Sequence, residues 1–373
     1  MGTPLLARLA GAILLTLAGC DVHIRPIWGP PDSGAVGPDG ATSLCPDRME
    51  GWATIPFAAY TTTTGGGTTA PVTVEATDPD AMTHFKAYAD RKSGAAVIQV
   101  SGIISFAGFG DSQVRVASNT TILGVDAHSG FTGGGLDLNG NSNIIIKNLV
   151  ISKAAGTDAI TIQGPASSNI WVDHCDLSSE RHPDGASYDG LIDITHAAES
   201  ITISWTKFHD HRDTSIVGHS DLNGTEDTNH LHVTYHHDLF QNVDAGPRIR
   251  FGTVHIFNVV FDHVTYYAIA STMNAAVRVE KNYFQVVTAS GQDPDYGPVT
   301  TVLPDSQSPG FVDLLANTAD TVSAPNHITT APIDFTPPYD VPMPGTTDIV
   351  DTTDTVREIV GNCVGPRSVP GTI

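Results

Sequence analysis

Apolar residues fall along this 373-residue chain in short bursts rather than in helical stripes. The bursts Thr120-Thr121-Ile122, Ile144-Ile145-Ile146, Ile170-Trp171-Val172, Ile201-Thr202-Ile203, Leu231-His232-Val233, Val254-His255-Ile256 and Val277-Arg278-Val279 have the length and β-branched content of strands. Their third residues stand about 24, 26, 31, 30, 23 and 23 positions apart. A second apolar patch follows several of them, as in Leu149-Val150-Ile151, Phe261 and Tyr283-Phe284. Recurrence at this period predicts stacked coils, because one coil cannot bury its apolar face alone and its neighbours must cover it. Strands of successive coils then pair in parallel, with right-handed crossovers. A β-sandwich would show closer spacing, about 8–12 residues, with hairpin dipeptides between strands. The predicted fold is therefore all-β: a right-handed parallel β-helix, a solenoid with flanking loops.

The long periods carry information of their own. The extra residues between Val172 and Ile203, and between Ile203 and Val233, must leave the solenoid as loops on its flank. Loops on a rigid scaffold are where binding and chemistry usually sit. Upstream, Val97-Ile98-Gln99-Val100-Ser101-Gly102-Ile103-Ile104 reads as a strand with a turn, preceded by only weak alternation. Beyond about residue 290 a Pro- and Thr-rich tail is expected to run back along the outside of the solenoid.

The N-terminus reads as an export segment over residues 1–19. Arg8 supplies a positive start, and Leu9 to Leu17 form an apolar run too short to span a bilayer comfortably. It ends Leu17-Ala18-Gly19-Cys20, which is similar to a bacterial lipobox and implies lipidation at Cys20; an ordinary cleaved signal peptide is the alternative. Residues 20–44, rich in Pro and Gly, read as a flexible tether, and residues 45–373 as the folded domain. After export Cys45, Cys175 and Cys363 remain. In an oxidising compartment Cys45 and Cys363 could pair, stabilising by roughly 4–5 kcal/mol in the chain-entropy model. Cys175 sits in a strand pattern and reads as a small buried hydrophobe; the odd count leaves the pairing open.

Charge narrows the partners. The chain has 18 basic and 40 acidic residues, a formal balance of −22. That argues against nucleic acid or anionic lipid as a partner. A polyanionic ligand would need a cation or a local basic patch.

Four segments bear on what that ligand and cation would be. They are Trp171-Val172-Asp173-His174-Cys175-Asp176-Leu177, Asp189-Gly190-Leu191-Ile192-Asp193-Ile194, Val233-Thr234-Tyr235-His236-His237, and Pro247-Arg248-Ile249-Arg250-Phe251-Gly252 leading into Val254-His255-Ile256-Phe257-Asn258. In order and spacing they resemble the pectate lyase family, with weaker similarity from about residue 46 into the C-terminal tail. The resemblance implies β-elimination on a polygalacturonate chain: a base removes the C5 proton and the C4–O bond breaks. It also implies Ca²⁺, bridging substrate and protein carboxylates and drawing charge from the transition state. Asp189 and Asp193 match the family's paired calcium ligands, and four positions apart on an extended segment they share a face. Asp158 matches a third ligand one coil earlier.

The sequence departs from the family at its base. Where the family has Arg-x-Pro-x-x-Arg, this chain has Ala245-Gly246-Pro247-Arg248-Ile249-Arg250. Ala245 takes the place of the proton acceptor, while Arg250 retains the second arginine, which implies a role in binding substrate carboxylate. Asp213 stands where the family has a substrate-binding lysine. Arg212 and Arg248 are the nearest replacements. Arg212 is one strand position away and faces the other side; Arg248 shares a face with Arg250 and is the better candidate, with a structural ion pair as the equal alternative. The histidine pairs, such as His230 with His232, permit a zinc reading, but His174, His236 and His255 fall in the family's structural motifs and are expected to stack or to satisfy backbone groups.

Three functions follow for comparison. The leading one is an exported, calcium-dependent pectate lyase-like enzyme, with a monomer as the expectation. The second is a non-catalytic polysaccharide-binding surface lipoprotein of the same fold. The third is an enzyme acting on another uronate polymer, or by hydrolysis, which would need two carboxylates flanking the bond.

Overall fold

The computed structural model describes Cys45 and residues 48–181, 188–288, 296–339 and 353–368. The export segment, Cys20 and the tether fall outside the described residues. Among the described residues no helix is long and apolar enough to cross a membrane.

Parallel strands wind into three sheets of ten, eight and nine strands, as a right-handed β-helix requires. Each coil visits the ten-stranded sheet, then the nine-stranded, then the eight-stranded. One coil, for example, runs Ser168–Asp173, Asp176–Ser178, Ile192–Thr195. All seven predicted triplets lie in or at the edge of ten-stranded-sheet strands, and six are in register, as where Ile146 pairs with Val172 and Ile256 with Val279; Leu231-His232-Val233 falls two residues early, since Tyr235 and not Val233 stands opposite Ile203 and Ile256.

The core follows from that register. Residues one coil apart stack into columns, as in Phe208, Phe240, Phe261 and Phe284, whose rings lie 4.5, 5.1 and 5.2 Å apart and nearly parallel. Burying each such ring stabilises by about 1.5–3 kcal/mol. The corner between the first two sheets needs a left-handed residue in every coil, and Asn148, His174, Trp205, His237, Asn258 and Lys281 take it with φ of 49–59°. There His174, Trp205 and His237 stack, as does His236 on Phe257, so these histidines serve the scaffold as expected. Cys45 and Cys363 are bonded, while Cys175 is free and buried.

Two features differ from the sequence reading. The region beyond 290 is not simply a returning tail: Val299–Thr300, Phe311–Leu315 and Thr318–Val322 add one more strand to each sheet. Only Thr318–Val322 is largely exposed, so its apolar signal is faint. The weakly alternating stretch contains a helix, Ala81–Ala89, whose buried Met82 and Phe85 plug the first coil.

Loops leave from opposite ends of two central strands of the eight-stranded sheet. Residues 179–191 precede Ile192–Thr195, and residues 218–231 follow Ser215–Val217. They are the insertions that stretched the period.

Candidate active site

Along Ile192–Thr195 the side chains alternate, with Ile192 and Ile194 in the core and Asp193 outward. The preceding coil pairs Thr161 with Asp193 and brings Asp158 alongside. Asp158 is 9% exposed and both of its oxygens are occupied. Oδ1 accepts the Gly190 N–H at 2.9 Å and Oδ2 accepts the Thr161 hydroxyl at 2.7 Å. Gly190 is needed here, because a β-carbon would stand 2.5 Å from Asp193 Oδ1 and 3.0 Å from Asp158 Oδ1. Two carboxylate oxygens from successive coils thus converge beside a glycine, with Asp189 next to it in the chain.

His211 holds that turn. It donates from Nε2 to the Asp189 carbonyl at 2.6 Å, which leaves Nδ1 to accept the Ser179 hydroxyl at 2.5 Å. Burial keeps this ring neutral, with its pKa below the ordinary imidazole value. The other pair, His230 and His232, spends both Nδ1 atoms on the two oxygens of the buried Glu199.

The carboxylates are electrostatically unsatisfied. Burial pushes Asp193 well above the ordinary carboxyl range, and the charges of Asp158 and Asp189 push it further. Burial raises Asp158 as well; its bonds to Thr161 and Gly190 work against the shift, while the Asp189 charge adds to it. Hard oxygens that repel one another suit a hard divalent cation such as Ca²⁺. Among the described residues no three acidic, histidine or cysteine side chains already close around one point. A cation would therefore draw further oxygens from water or ligand.

The basic groups lie farther along the same face. Asp193 pairs with Ile216 and Ile216 with Arg248, so Arg248 sits two strands from Asp193, roughly 10 Å away. Arg250 follows on the same outward face, with Ile249 in the core between them. Each nearby arginine has a carboxylate partner. Arg250 donates from Nε to Asp221 at 2.8 Å and from Nη1 to the Gly218 carbonyl at 2.9 Å. Arg248 grips Asp305 with both terminal nitrogens, at 2.8 and 3.0 Å. Arg212 is exposed and turns back to Asp213 at 2.6 Å. Neither Asp221 nor Asp305 was among the candidates from sequence, since they lie 29 and 57 positions from their arginines in loops without a motif.

Ala245 is 1% exposed. It lies in register between Asp213 and Tyr267 and packs in a small cluster with Ala270, Tyr267, Tyr296 and Leu303. No guanidine therefore stands at this position. Tyr267 fills the space one coil on, its phenol held protonated by burial and by the Asp213 charge, with Arg248 and Arg250 acting in the opposite sense.

A family model described as pectate lyase matches residues 43–336. Probable pectate lyase A of Neosartorya fischeri is 47% identical over 191 residues, which cover 50% of this chain and 58% of that relative's length. Probable pectate lyase B of Aspergillus terreus is 42% identical over 228 residues, covering 60% of this chain and 67% of the relative. Among solved structures, a pectate lyase from Bacillus sp. N165 in complex with trigalacturonate superposes with a TM-score of 0.72 at 30% identity, over 86% of this chain and 99% of that one.

Proposed function

We propose that this chain, which belongs to the pectate lyase family, binds polygalacturonate along the outer face of the eight-stranded sheet and cleaves it by calcium-dependent β-elimination. The observation that carries the reading is the shared face: the carboxylates of Asp158 and Asp193 converge beside Gly190, and the guanidinium of Arg248 lies two strands away. A uronate chain laid across it meets an anionic cation site and then cationic side chains.

Asp189 and Asp193 would hold the calcium ion, with Asp158 contributing chiefly by fixing the Gly190 turn. The chemistry a bound calcium ion supplies is neutralisation of the uronate carboxylate, which makes the C5–H more acidic. Arg250, anchored by Asp221 and Gly218, orients a substrate carboxylate. Arg248 points both terminal nitrogens as donors at a carboxylate, the geometry of a binding group, so it binds substrate rather than serving as the base. With alanine at the base position, proton removal falls to solvent hydroxide. The missing general base corresponds to a rate about 10²–10⁴-fold below that of an arginine-bearing site.

The test is to incubate the exported domain with polygalacturonate and calcium and to follow the ultraviolet absorbance of unsaturated product. Absorbance that a chelator abolishes supports the lyase. A second reading, binding without cleavage, draws support from the buried Ala245 and the carboxylate on every nearby arginine; it predicts retention on immobilised pectate with no absorbance. New reducing ends without absorbance would indicate hydrolysis instead. The reading extends to export, with Cys20 as a lipid anchor and the domain working as a monomer outside the cytoplasm. Globomycin-sensitive processing and incorporation of labelled palmitate would test the anchor.

A further inference from the structure

The geometry points to Asp305 as a built-in stand-in for substrate, its carboxylate occupying on Arg248 the seat that a uronate carboxylate takes. The inference rests on the function proposed above and deepens it, by naming the residue that sets how tightly the acidic polymer is held.

A carboxylate on both terminal nitrogens of an arginine is the arrangement a planar uronate carboxylate would also adopt. Asp305 supplies it with Oδ2 at 2.8 Å from Nη1 and Oδ1 at 3.0 Å from Nη2. The pair is asymmetric in exposure: the Arg248 side chain is 14% exposed, that of Asp305 68%. Arg248 is thus fixed in the wall of the site and Asp305 reaches it from solvent. Asp221 makes the contrast. It is 10% exposed and committed on both sides, Oδ1 to Arg250 Nε and Oδ2 to the Gln307 N–H at 2.8 Å. A ligand cannot displace Asp221 without opening the fold, but it can displace Asp305.

The backbone that presents Asp305 is held still. The Ser306 N–H closes a turn onto the Leu303 carbonyl at 3.0 Å, with Pro304 inside the turn. Leu303 is buried in the cluster around Ala245 and Tyr267. On the far side the Gln307 N–H binds Asp221, and Met273 N–H reaches the Ser308 carbonyl at 2.9 Å. Exchange of Asp305 for substrate therefore needs only rotation of one exposed side chain, after which the Ser306 hydroxyl, 3.1 Å from Nη2, still steadies the guanidinium. A ligand carboxylate has to outcompete an internal one, so Asp305 weakens the binding of every uronate that uses Arg248 and favours ligands that engage several subsites at once.

Calorimetric titration of trigalacturonate in calcium-containing buffer tests this on the wild type, on Asp305→Asn, on Arg248→Gln and on the double variant. Asp305→Asn should bind roughly two- to five-fold more tightly, the scale of one partly exposed ion pair. The gain should vanish in the Arg248→Gln background. Wild-type binding with equal or weaker binding by a folded Asp305→Asn would overturn the inference and leave the functional reading intact. A gain that persists without Arg248 would overturn it as well. If neither wild type nor variant binds, the functional reading fails and this inference with it. Should Asp305→Asn fold poorly, Asp305→Ser carries the same expectation, because both remove the competing charge.

Discussion

Replacing Ala245 by arginine would return a guanidine to the place where the family keeps its proton acceptor. The site as it stands resists the change in volume. Ala245 is 1% exposed and its small cluster includes Tyr267, Tyr296 and Leu303. Overpacking of this kind costs about 1–3 kcal/mol, which a domain stable by roughly 5–15 kcal/mol tolerates. The charge would stand beside Asp213, which occupies the register position one coil before Ala245 and now pairs with Arg212. The kinetic gain is larger than the structural cost. Restoring a general base is worth about 10²–10⁴ in rate, or roughly 2.7–5.4 kcal/mol of barrier. Initial rates on polygalacturonate with saturating calcium, read as ultraviolet absorbance of unsaturated product, provide the assay. The rate of Ala245→Arg should exceed that of the wild type at every pH tested. A variant that unfolds cooperatively and responds to calcium like the wild type, yet shows no gain in rate, would refute the placement of the base.

Other outcomes follow from the same geometry. Asp193→Asn removes a buried charge that Asp158 and Asp189 repel. It should raise the melting temperature in chelator while abolishing most of the calcium-induced rise; an unaltered response to calcium in differential scanning calorimetry would count against Asp193 as a ligand. Burial lowers the pKa of His236 well below the ordinary imidazole value, so the unfolded chain takes up this proton first as pH falls. The stability that His236 contributes is complete above about pH 6.5 and is lost below it by up to about 1.4 kcal/mol per pH unit. His236→Phe, whose ring can keep the stack on Phe257, should flatten that slope in urea titrations. The Cys45–Cys363 bond spans 318 positions; its reduction should lower stability by roughly 5–6 kcal/mol in the chain-entropy model, and a smaller shift in the urea midpoint would mean that the reduced ends stay docked.

The recurrence of apolar bursts was enough to specify the solenoid. Stacking requires each coil to offer apolar residues at the same place, so Ile146, Val172 and Ile203 had to recur at coil length for the column to close. It also marked the two loops that leave the solenoid, because inserted residues stretch a period without disturbing the strands on either side. The final coil was harder to read, since Val299–Thr300 is only two residues long and Thr318–Val322 has little core to face. The helix Ala81–Ala89 escaped notice because it covers an end of the stack, where no repeat is imposed.

At the site, motif order nominated Asp158, Asp189, Asp193, Arg248 and Arg250, but only the folded chain assigned their company. Coil stacking brings the Asp158 and Asp193 oxygens together over Gly190, a contact that depends on backbone register and not on spacing along the chain. Loops remote in number deliver Asp221 to Arg250 and Asp305 to Arg248. The same packing buries Ala245 under Tyr267. Charges act through space, and three-dimensional proximity sets which carboxylate meets which guanidinium.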